Sequence, residues 1–597
     1  MHRLQFDSFG EMIEKGVKLT DFHPAGVQTF LYFWTKLFGF SEASVRLPFI
    51  ISGIVSIYFV YLIGKKWFNK NTGLLSALSM AFLQFPLLYS QLARPYSPGL
   101  LFSLTTVWFW TLIIKDKKQN LLTYSGFVIF SALSAYSHNY SFLFVLIVGL
   151  TGLFFLKRKA LINYLFCGLA VFILYLPHFE IFFYQFGIGG IGGEDGWLGK
   201  PDPLWFFDFI YYCFNKSIFL LIVFGAVLIF SLLFNRKNIN WTKFHSISLI
   251  WFLAMFFIGY FYSIFRNPIL QKSILIFSFP FLLIFLFSFI KRHSSLIFKI
   301  FFIFLAIAGI ISTVIVKDYY NSQHFGEFKD IAKRISEWNK KYGSNKITAA
   351  ISVNQPYYID YYLEKYNDST VFVQYDNRGK DDLLVLKKAI DSCKTPYFIY
   401  AWTKPCPFEI SDLIMAKFPF IIKQKNYSDL SEVTLFGKTD EPNSIEPLKP
   451  IYSVNNSFET GNLWGINEKL LNNEYSFPGE CSIKIDSTII YGPTFSTTLA
   501  NIDCKKAKKI KVSLDVFALN DFSKVILVLS LENKENEIIQ WSGSKFEYYL
   551  EKDNWSKVFL TVYIPESFTF EDMIKTYVWN PGKESFYVDD FKIEFYE

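Results

Sequence analysis

Residues 45–64 read VRLPFIISGIVSIYFVYLIG, an apolar run with one arginine and no acidic residue. A helix needs about 20 such residues to cross the hydrocarbon core of a bilayer. Nine further runs of spanning or near-spanning length follow, at 74–90, 98–114, 121–137, 140–156, 160–177, 217–234, 246–264, 269–290 and 296–316. The sequence therefore predicts a polytopic α-helical membrane domain of about ten spans over residues 44–317.

Basic residues in the connections predict the orientation of these spans. Every second connection is basic, and the residues concerned are Lys65, Lys66, Lys70, Lys115, Lys117, Lys118, Lys157, Arg158, Lys159, Arg236, Lys237, Lys243, Lys291 and Arg292. The hairpins after the second, fourth and eighth runs carry only Arg94, Arg266 and Lys272. Since basic loops stay in the cytoplasm, we expect a multi-pass protein of the cytoplasmic (inner) membrane, with Met1 and everything after Lys317 on the outer, periplasmic side.

The composition agrees with a membrane protein that carries a hydrophilic part. Hydrophobic residues make up 52% of the 597 residues, including 70 phenylalanines, yet the mean hydropathy is only +0.26. The low mean hydropathy therefore indicates that an apolar domain and a polar domain are present in the same chain. The formal net charge of +8 arises largely from the basic loops, so no nucleic-acid partner is predicted.

Beyond Lys317 the periodicity of the sequence changes. Residues 325–440 alternate helical stretches with short strands, which predicts a small exported α/β domain. Residues 450–597 carry short, alternating, β-rich runs, which predict an exported β-sandwich of jelly-roll type. Its opening residues 456–459 and closing residues 587–594 resemble the first and last strands of jelly-roll carbohydrate-binding modules.

Three tryptophans of the predicted sandwich are candidates for stacking on a sugar ring. They are Trp464, Trp541 and Trp555. Packing in the sandwich core is the alternative for each of them, because a large aromatic side chain stabilises a core as readily as a binding surface. The predicted function of this domain is therefore either sugar binding or packing on the rest of the chain.

The first 43 residues form a polar loop and an amphipathic segment. Val27, Phe30, Leu31, Trp34, Leu37 and Phe38 recur at helical spacing. This spacing predicts an interfacial helix that lies flat on the membrane. Because Met1 is predicted outside with no signal peptide before it, we expect a span upstream of Met1 and a truncated chain. The alternative is a first span that carries a short tail outward.

Four cysteines lie in the predicted exported part, where an oxidising compartment permits disulfides. Local pairing would join Cys393 to Cys406 and Cys481 to Cys504. Four cysteines allow three connectivities, and the sequence does not choose among them. No Cys or His spacing indicates a metal site, and no cofactor is predicted.

Polar residues at the predicted outer ends of the spans are the candidates for chemistry. Arg94 ends a span and precedes a proline, so it could contact a phosphate bidentately or serve as a snorkelling anchor. His138 in the next outer hairpin could bind an anionic head group or cap a helix. Arg266 and Lys272 would complete a cationic ring around one cavity mouth.

Several of these residues occur in motifs that resemble a known superfamily. The motifs are His23-Pro24, Tyr32-Phe-Trp34, Ser44-Val-Arg46-Leu-Pro48, Tyr89-Ser-Gln-Leu-Ala-Arg94-Pro-Tyr96 and Tyr136-Ser-His138-Asn-Tyr140. Their order resembles that of polytopic GT-C glycosyltransferases, and most of all the protein O-mannosyltransferase and aminoarabinose-transferase group. The resemblance covers residues 20–180 well and the later spans only by topology.

The resemblance implies transfer of a sugar from a polyprenyl-phosphate donor to an acceptor outside the membrane. It implies that His23, Arg94 with Tyr96, and His138 contact the donor phosphate or substrate. Relatives carry an acidic pair at the start of the first outer loop, and inverting transfer needs such a base. That pair is absent here, so we expect the catalytic carboxylate upstream of Met1 and an inactive chain, with Asp7 and Asp21 as weaker candidates.

The function predicted from the sequence is therefore that of a membrane glycosyltransferase. Its expected partners are a polyprenyl-phosphate sugar, membrane lipids and a glycan, lipid or protein acceptor. A transporter or flippase of lipid-linked sugars is one alternative, and it should carry ionisable residues within its spans. A membrane-anchored sugar-binding protein is the other.

Overall fold

The computed structural model describes most of the chain as two compact units, 1–322 and 323–597. The described residues are 4, 6–187, 198–234, 241–290, 295–320, 327–353, 356–374, 382–403, 409–427, 431–442, 444–445, 448–459, 464–477, 479–520 and 524–597. The predicted basic residues at 236, 237, 291 and 292 and the cysteine at 406 lie outside them. Each unit is described separately below.

The first unit is helical. Its α-helices are α1 (Phe9–Glu11), α2 (Gly26–Phe38), α3 (Glu42–Trp67), α4 (Lys70–Phe82), α5 (Gln84–Ser90), α6 (Tyr96–Ile114), α7 (Leu121–Ser137), α8 (Asn139–Leu153), α9 (Arg158–Tyr175), α10 (Phe179–Gly187), α11 (Trp205–Cys213), α12 (Ile218–Phe234), α13 (Lys243–Phe265), α14 (Phe279–Phe287) and α15 (Ser295–Ile310). Short π and 3-10 segments occupy Met12–Lys18, Leu176–His178, Lys272–Phe277 and Ile311–Val316.

Five helical segments of the described residues are long and apolar enough to cross a membrane. They are Glu42–Trp67, Tyr96–Ile114, Arg158–Gly187, Lys243–Phe265 and Phe298–Val316. Two bent pairs, α4 with α5 and α11 with α12, raise the number to seven if each pair is one span. The protein is thus a multi-pass membrane protein. Nine of the ten apolar runs lie largely in helix, and the run at 269–290 is divided into a 3-10 segment and the nine-residue α14. Ten spans and their sidedness stay predictions.

The helices begin where polar side chains can cap them. Asn69 accepts hydrogen bonds from the backbone of Asn71 and Thr72 at the start of α4, and Asn120 forms a capping box with Thr123 at the start of α7. Their apolar faces meet in an aromatic core. Trp251 lies 5.3 Å from Trp110 and 5.6 Å from Trp67, measured between ring centroids.

A single asparagine joins the two bent pairs. Asn215 is fully buried and has a φ of 61°, in the left-handed region that asparagine tolerates better than most residues. Its Oδ1 accepts a hydrogen bond from the backbone of Gln84 at 2.8 Å. Its Nδ2 donates to Thr313 Oγ1 at 2.7 Å and to Ser312 Oγ at 3.2 Å. These bonds satisfy the backbone exposed at the 64° bend between α4 and α5.

Replacing Asn215 with alanine should destabilise the first unit by about 2 to 3 kcal/mol, because three hydrogen bonds are lost and a buried backbone donor is left unsatisfied. The midpoint of thermal unfolding in detergent, followed by tryptophan fluorescence, measures the effect. Asn267→Ala, at the end of α13, is the matched control and should leave the midpoint unchanged. An unchanged midpoint in Asn215→Ala would show that the bends do not depend on this side chain.

The second unit begins with an α/β layer. A five-stranded sheet has the order β2-β1-β3-β5-β4, in which β1 pairs in parallel with β2 and β3 and the remaining pairs are antiparallel. The strands are β1 (Ile347–Ser352), β2 (Phe372–Gln374), β3 (Tyr397–Trp402), β4 (Phe420–Asn426) and β5 (Glu432–Gly437). The helices are α16 (Phe328–Tyr342), α17 (Tyr357–Lys365), α18 (Asp382–Ser392) and α19 (Glu409–Met415).

The rest of the second unit is a sandwich of two antiparallel sheets. One sheet has the order β13-β10-β15-β8-β7, with β6 also on β15, and the other has the order β12-β11-β14-β9. The strands are β6 (Tyr452–Asn456), β7 (Leu471–Asn472), β8 (Ser482–Ile485), β9 (Tyr491–Thr498), β10 (Lys509–Ala518), β11 (Ile526–Glu532), β12 (Ile538–Lys545), β13 (Trp555–Tyr563), β14 (Met573–Trp579) and β15 (Phe586–Tyr596). A helical membrane-type domain followed by a β-rich region confirms the predicted fold class.

Helix α19 attaches the α/β layer to the sandwich. Asp412 is buried and forms an ion pair with Lys511 of β10 at 2.9 Å. Its second carboxylate oxygen accepts a hydrogen bond from the hydroxyl of Thr561 at 2.7 Å. These contacts explain why the two layers form one compact unit.

The described cysteines of the second unit are free. Cys393, Cys481 and Cys504 each carry an unpaired thiol. The local pairing of Cys481 with Cys504 is therefore absent from this structure, and pairing of Cys393 with Cys406 lies outside the described residues.

Candidate active site at the helix ends

The loop that carries Asp21 and His23 is held by α10. Gln185 is buried, and its Nε2 donates hydrogen bonds to the carbonyl oxygens of Asp21 at 2.8 Å and His23 at 3.3 Å. Lys18 at the other end of the loop forms an ion pair with Glu180 of the same helix at 2.8 Å. Nε2 of the buried His178 accepts the backbone N–H of Ala25 at 3.0 Å. These contacts fix the loop between α10 and the start of α2.

Asp21 and His23 form a hydrogen-bonded pair. Oδ1 of Asp21 accepts a hydrogen bond from Nδ1 of His23 at 2.8 Å and one from the backbone of Phe22 at 2.9 Å. Oδ2 accepts from Nε2 of Gln28. Asp21 is only 3% exposed, whereas the side chain of His23 is 16% exposed. The carboxylate is therefore buried behind the imidazole, which it orients.

His23 meets two further aromatic side chains. Its ring lies 5.0 Å from that of His138 and 6.4 Å from that of Tyr96, centroid to centroid. The rings of Tyr96 and His138 are 5.7 Å apart. His138 stands in the hairpin between α7 and α8, and Tyr96 begins α6. The structure thus brings together three residues from three separate stretches, which we call the His23 cluster.

His138 is a buried, neutral hydrogen-bond donor. Its Nδ1 accepts the backbone N–H of Tyr140 at 2.9 Å and caps α8. Burial, followed by the neighbouring His23, holds the pKa of His138 well below its usual range. A neutral imidazole whose Nδ1 accepts must carry its proton on Nε2. His138 can therefore cap the helix and donate one hydrogen bond to a substrate atom.

A row of aromatic side chains connects this cluster to Lys272. Tyr89 lies 4.9 Å from Tyr96, centroid to centroid. Tyr89 and Tyr212 both pack on Phe85, at 5.5 and 5.6 Å. Nζ of Lys272 lies 4.9 Å from the ring centre of Tyr212 and pairs with Asp208. Lys272 is thus linked to the His23 cluster through tyrosines rather than by direct contact.

The two arginines of the predicted rim are exposed. Arg94 lies in the connection between α5 and α6, two residues before Tyr96, and Arg266 lies at the end of α13. Within the described part of the chain, no ion pair involves either guanidinium. Both charges are therefore available to a ligand, although neither touches the His23 cluster.

A largely apolar groove runs beside the cluster. It has a volume of about 310 Å³, and its apolar lining includes Ile54, Ile57, Met80, Leu87 and Leu100. Its polar lining residues are Arg46, Ser90, Gln91 and Ser97, and we call the exposed pair Arg46 and Gln91 its mouth. Ser90 follows Tyr89 and Ser97 follows Tyr96 in the sequence, so the same helix ends line the groove and form the aromatic row.

The geometry combines an apolar groove, a polar mouth and an oriented histidine. Such a groove can hold a hydrocarbon chain, because burial of apolar surface is favourable. A cation such as Arg46 at its mouth can hold an anionic group of the same ligand. Among the residues that the structure describes, no three His, Cys, Asp or Glu side chains group as a metal site would require.

Residues 22–180 match the family model for dolichyl-phosphate-mannose-protein mannosyltransferase. This segment is similar to GT-C glycosyltransferases, and we call it the GT-C segment. The GT-C segment includes every member of the His23 cluster and all the groove residues except Ile276. The resemblance inferred from the motifs is thereby confirmed. No curated protein matches the sequence.

Solved structures of glycosyltransferases are similar to this chain at low identity. ArnT from Cupriavidus metallidurans in the apo state has 11% identity and a TM-score of 0.43, and the alignment covers 69% of this chain and 87% of ArnT. Arabinofuranosyltransferase AftD from Mycobacteria has 9% identity and a TM-score of 0.38, over 95% of this chain and 56% of AftD. The CBM22-1 xylan-binding domain of Paenibacillus barcinonensis Xyn10C has 14% identity and a TM-score of 0.17, and the alignment covers 21% of this chain and 80% of that domain.

Two features of this site were not among the predictions from the sequence. Arg46 was not among its candidates, although a cation at the start of a predicted span and close to an outer hairpin was a visible signal. The pairing of Asp21 with His23 was also missed, although the two residues stand two positions apart. Gln185, which holds the backbone carbonyl of Asp21, lies 164 residues away and gave no sequence signal.

Proposed function

We propose that this protein is a membrane glycosyltransferase that takes its sugar from a polyprenyl-phosphate donor. The observation that supports the proposal most directly is the Asp21–His23 pair beside an apolar groove with a cationic mouth, inside the GT-C segment. The groove provides for the lipid, and the pair provides for proton transfer. In this proposal the pair takes the role that was expected of a carboxylate upstream of Met1, so the chain would be active. The positive-inside pattern supports a site on the outer side of the membrane.

The donor would bind with its hydrocarbon chain in the groove and its phosphate at the mouth. Arg46 lines the mouth, and Arg94 follows Gln91, another mouth residue, by three positions. Guanidinium groups pair with phosphate oxygens bidentately, which fixes the phosphate as well as attracting it. Arg266 and Lys272 are the further cations that we assign to this binding region.

His23 would take the proton of the acceptor. Its Nδ1 donates to Asp21, so the neutral ring keeps a lone pair on Nε2. In the transfer step, the acceptor's nucleophilic atom bonds to the anomeric carbon, and the bond from that carbon to the phosphate oxygen breaks. The acceptor proton passes to Nε2 of His23, and polyprenyl phosphate leaves with the electron pair. Asp21 stabilises the imidazolium that forms, as a buried carboxylate does in a catalytic triad.

His138 and Tyr96 would position the reacting groups. His138 presents its Nε2–H within the cluster and can donate to a phosphate or sugar oxygen. Tyr96 packs beside both imidazoles and begins the helix whose next residue lines the groove. The order of these residues along α6 would thus place the donor's reacting carbon near His23.

The direct test is sugar transfer by the purified full chain in proteoliposomes. The donor supplied is a radiolabelled polyprenyl-phosphate hexose or pentose, and the acceptor is added as a membrane extract. Transfer predicts release of polyprenyl phosphate that depends on the acceptor. A flippase would instead move the intact donor between leaflets without cleaving it, and that result would contradict the proposal.

Arg94→Ala should weaken use of the donor by roughly tenfold to a hundredfold, the effect of losing one charge-assisted phosphate contact worth roughly 1.5 to 3 kcal/mol. The change should appear in the KM for donor more than in kcat. Arg94→Lys should restore only part of it, because a point charge cannot reproduce the planar fork. Steady-state kinetics in detergent measure the effect, and equal donor KM in wild type and Arg94→Ala would leave Arg94 as an anchor only.

A further inference from the structure

The β12-β11-β14-β9 sheet of the sandwich carries a strip of aromatic side chains on its outer face. The members of this aromatic strip are Trp541 of β12, Tyr577 and Trp579 of β14, and Tyr491 of β9. The strand register places Trp541 across from Ser530, Tyr577 across from Val528, and Trp579 between Ile526 and Tyr491. Since directly paired residues share one face of a sheet, all four rings lie on the same face.

The alternation of burial shows that this face points away from the sandwich core. On β14, Ile574, Thr576 and Val578 are buried, whereas the residues between them are partly exposed. Leu527 and Leu529 of β11 belong to the sandwich core. Val528, between them, lies on the other face, directly across from Tyr577, and is fully buried there. The aromatic strip therefore lies on the outer face, beside a buried apolar residue of the sheet.

A glycine allows Trp541 to lie on the sheet. A Cβ at Gly543 would lie 2.8 Å from Cη2 of Trp541 and 2.7 Å from Cγ2 of Ile526. Trp541 is thus folded across its own strand, and 45% of its surface remains exposed. Its ring lies 6.4 Å from that of Trp579. Tyr491, 61% exposed, lies 5.8 Å from Tyr577. With strands about 4.8 Å apart, the strip crosses about 14 Å of sheet.

Polar groups flank the rings without leaving a net charge. Lys575, across from Ser530, forms an ion pair with Glu532 at 2.5 Å. Oγ of Ser530 also donates to Glu532 at 2.9 Å. Ser496 of β9 is exposed beside Lys575. The surface thus offers aromatic faces, hydroxyls and a neutralised ion pair on a single sheet.

We propose that the aromatic strip binds an uncharged glycan chain. Sugar rings have apolar C–H faces that pack on aromatic rings, and their hydroxyls need donors and acceptors at the sides. The charge balance decides among the possible occupants. An anionic membrane surface or an acidic peptide would need unpaired cations. The lysines of this face are already paired, Lys575 with Glu532 and Lys545 with Glu547. This binding site goes beyond the proposed transferase activity and does not depend on it.

The test is affinity electrophoresis of the purified full chain in detergent. The gels contain soluble hydroxyethyl cellulose, yeast mannan or arabinogalactan as neutral glycan probes. The wild type should be retarded by at least one of them. Trp541→Ala and Tyr491→Ala should each weaken that retardation about tenfold, through loss of one stacking surface. Tyr563→Ala, an exposed aromatic of β13 in the other sheet, is the matched control and should bind like the wild type.

Each outcome decides the proposal. The proposal is supported if the strip variants lose the retardation and Tyr563→Ala keeps it. Retention in His23→Ala as well would show that the glycan site is separate from the transferase site. Tyr491 is mostly exposed, so its variant stays informative if Trp541→Ala fails to fold. Absence of retardation by all three glycans overturns the proposal. Equal retardation of both strip variants and the wild type also overturns it. Binding of the wild type to anionic vesicles and to none of the glycans, with loss of that binding in the strip variants, overturns it as well.

Discussion

Replacing His23 with alanine should lower kcat for sugar transfer by a factor of about 10² to 10⁴, the usual contribution of a general base. The KM for the polyprenyl-phosphate donor should change little, because the arginines and the groove hold the donor. The physical reason is the position of the imidazole, which is oriented by a buried carboxylate at 2.8 Å and has only its other nitrogen free to meet an acceptor. Steady-state kinetics of the reconstituted full chain measure both parameters.

Two controls separate proton transfer from structural support. Added imidazole should restore part of the activity of His23→Ala, because a small base can occupy the space that the side chain leaves. The midpoint of thermal unfolding should stay near that of the wild type. A normal kcat with a strongly raised donor KM would instead assign His23 to the donor phosphate, as the superfamily resemblance implies.

The helical part of the fold could be predicted from the sequence because its signal is local. Nine of the ten apolar runs lie largely in helix, because a chain in hydrocarbon must satisfy its backbone hydrogen bonds within the segment, and only the run at 269–290 is broken into a 3-10 segment and a short helix. The bends were not predicted. They depend on Asn215, whose partners Gln84 and Thr313 lie 131 and 98 residues away in the chain. A pattern that is read within a window of about 20 residues does not contain such contacts.

The candidate site shows the same division between local and distant information. His23, Tyr96 and His138 stand in motifs, and the structure brings their rings together. Arg94 and Arg266 were grouped with them by charge and predicted sidedness, and neither touches the cluster. Asp21 was only a weaker candidate for the base. The loop that carries it is held by Gln185 of α10, a contact that the local sequence does not reveal.

The tryptophans of the sandwich show why residue type alone does not distinguish a binding surface from a core. Trp464 packs at 5.0 Å from Phe495 and 5.2 Å from Phe591, and Trp555 stacks on Phe477 at 5.9 Å. Only Trp541 of the three lies on the aromatic strip. Trp579, Tyr577 and Tyr491 were not candidates, because strand register had to be known before these rings could be assigned to one face.

Asp21→Asn should lower kcat by a factor on the order of 10² to 10³ while the protein remains folded. An asparagine has the same shape but no negative charge. Its amide oxygen can keep the position of Oδ1, where it accepts from Nδ1 of His23 and from the backbone of Phe22. Nε2 of His23 then keeps its lone pair, but the imidazolium that forms during transfer loses the buried carboxylate that stabilises it. The variant would thus leave the imidazole in place without its counter-charge.

The measurement is kcat and donor KM of Asp21→Asn beside those of Asp7→Asn. Asp7 is the other acidic candidate from the sequence, and the structure places it exposed before α1. Asp7→Asn should transfer sugar at the wild-type rate. The double variant Asp21→Asn with His23→Ala should be no slower than His23→Ala alone, because a residue that acts through His23 has no effect without it. If the two substitutions instead multiply in their effects, Asp21 acts on the substrate independently of His23 and the proposed pair is wrong.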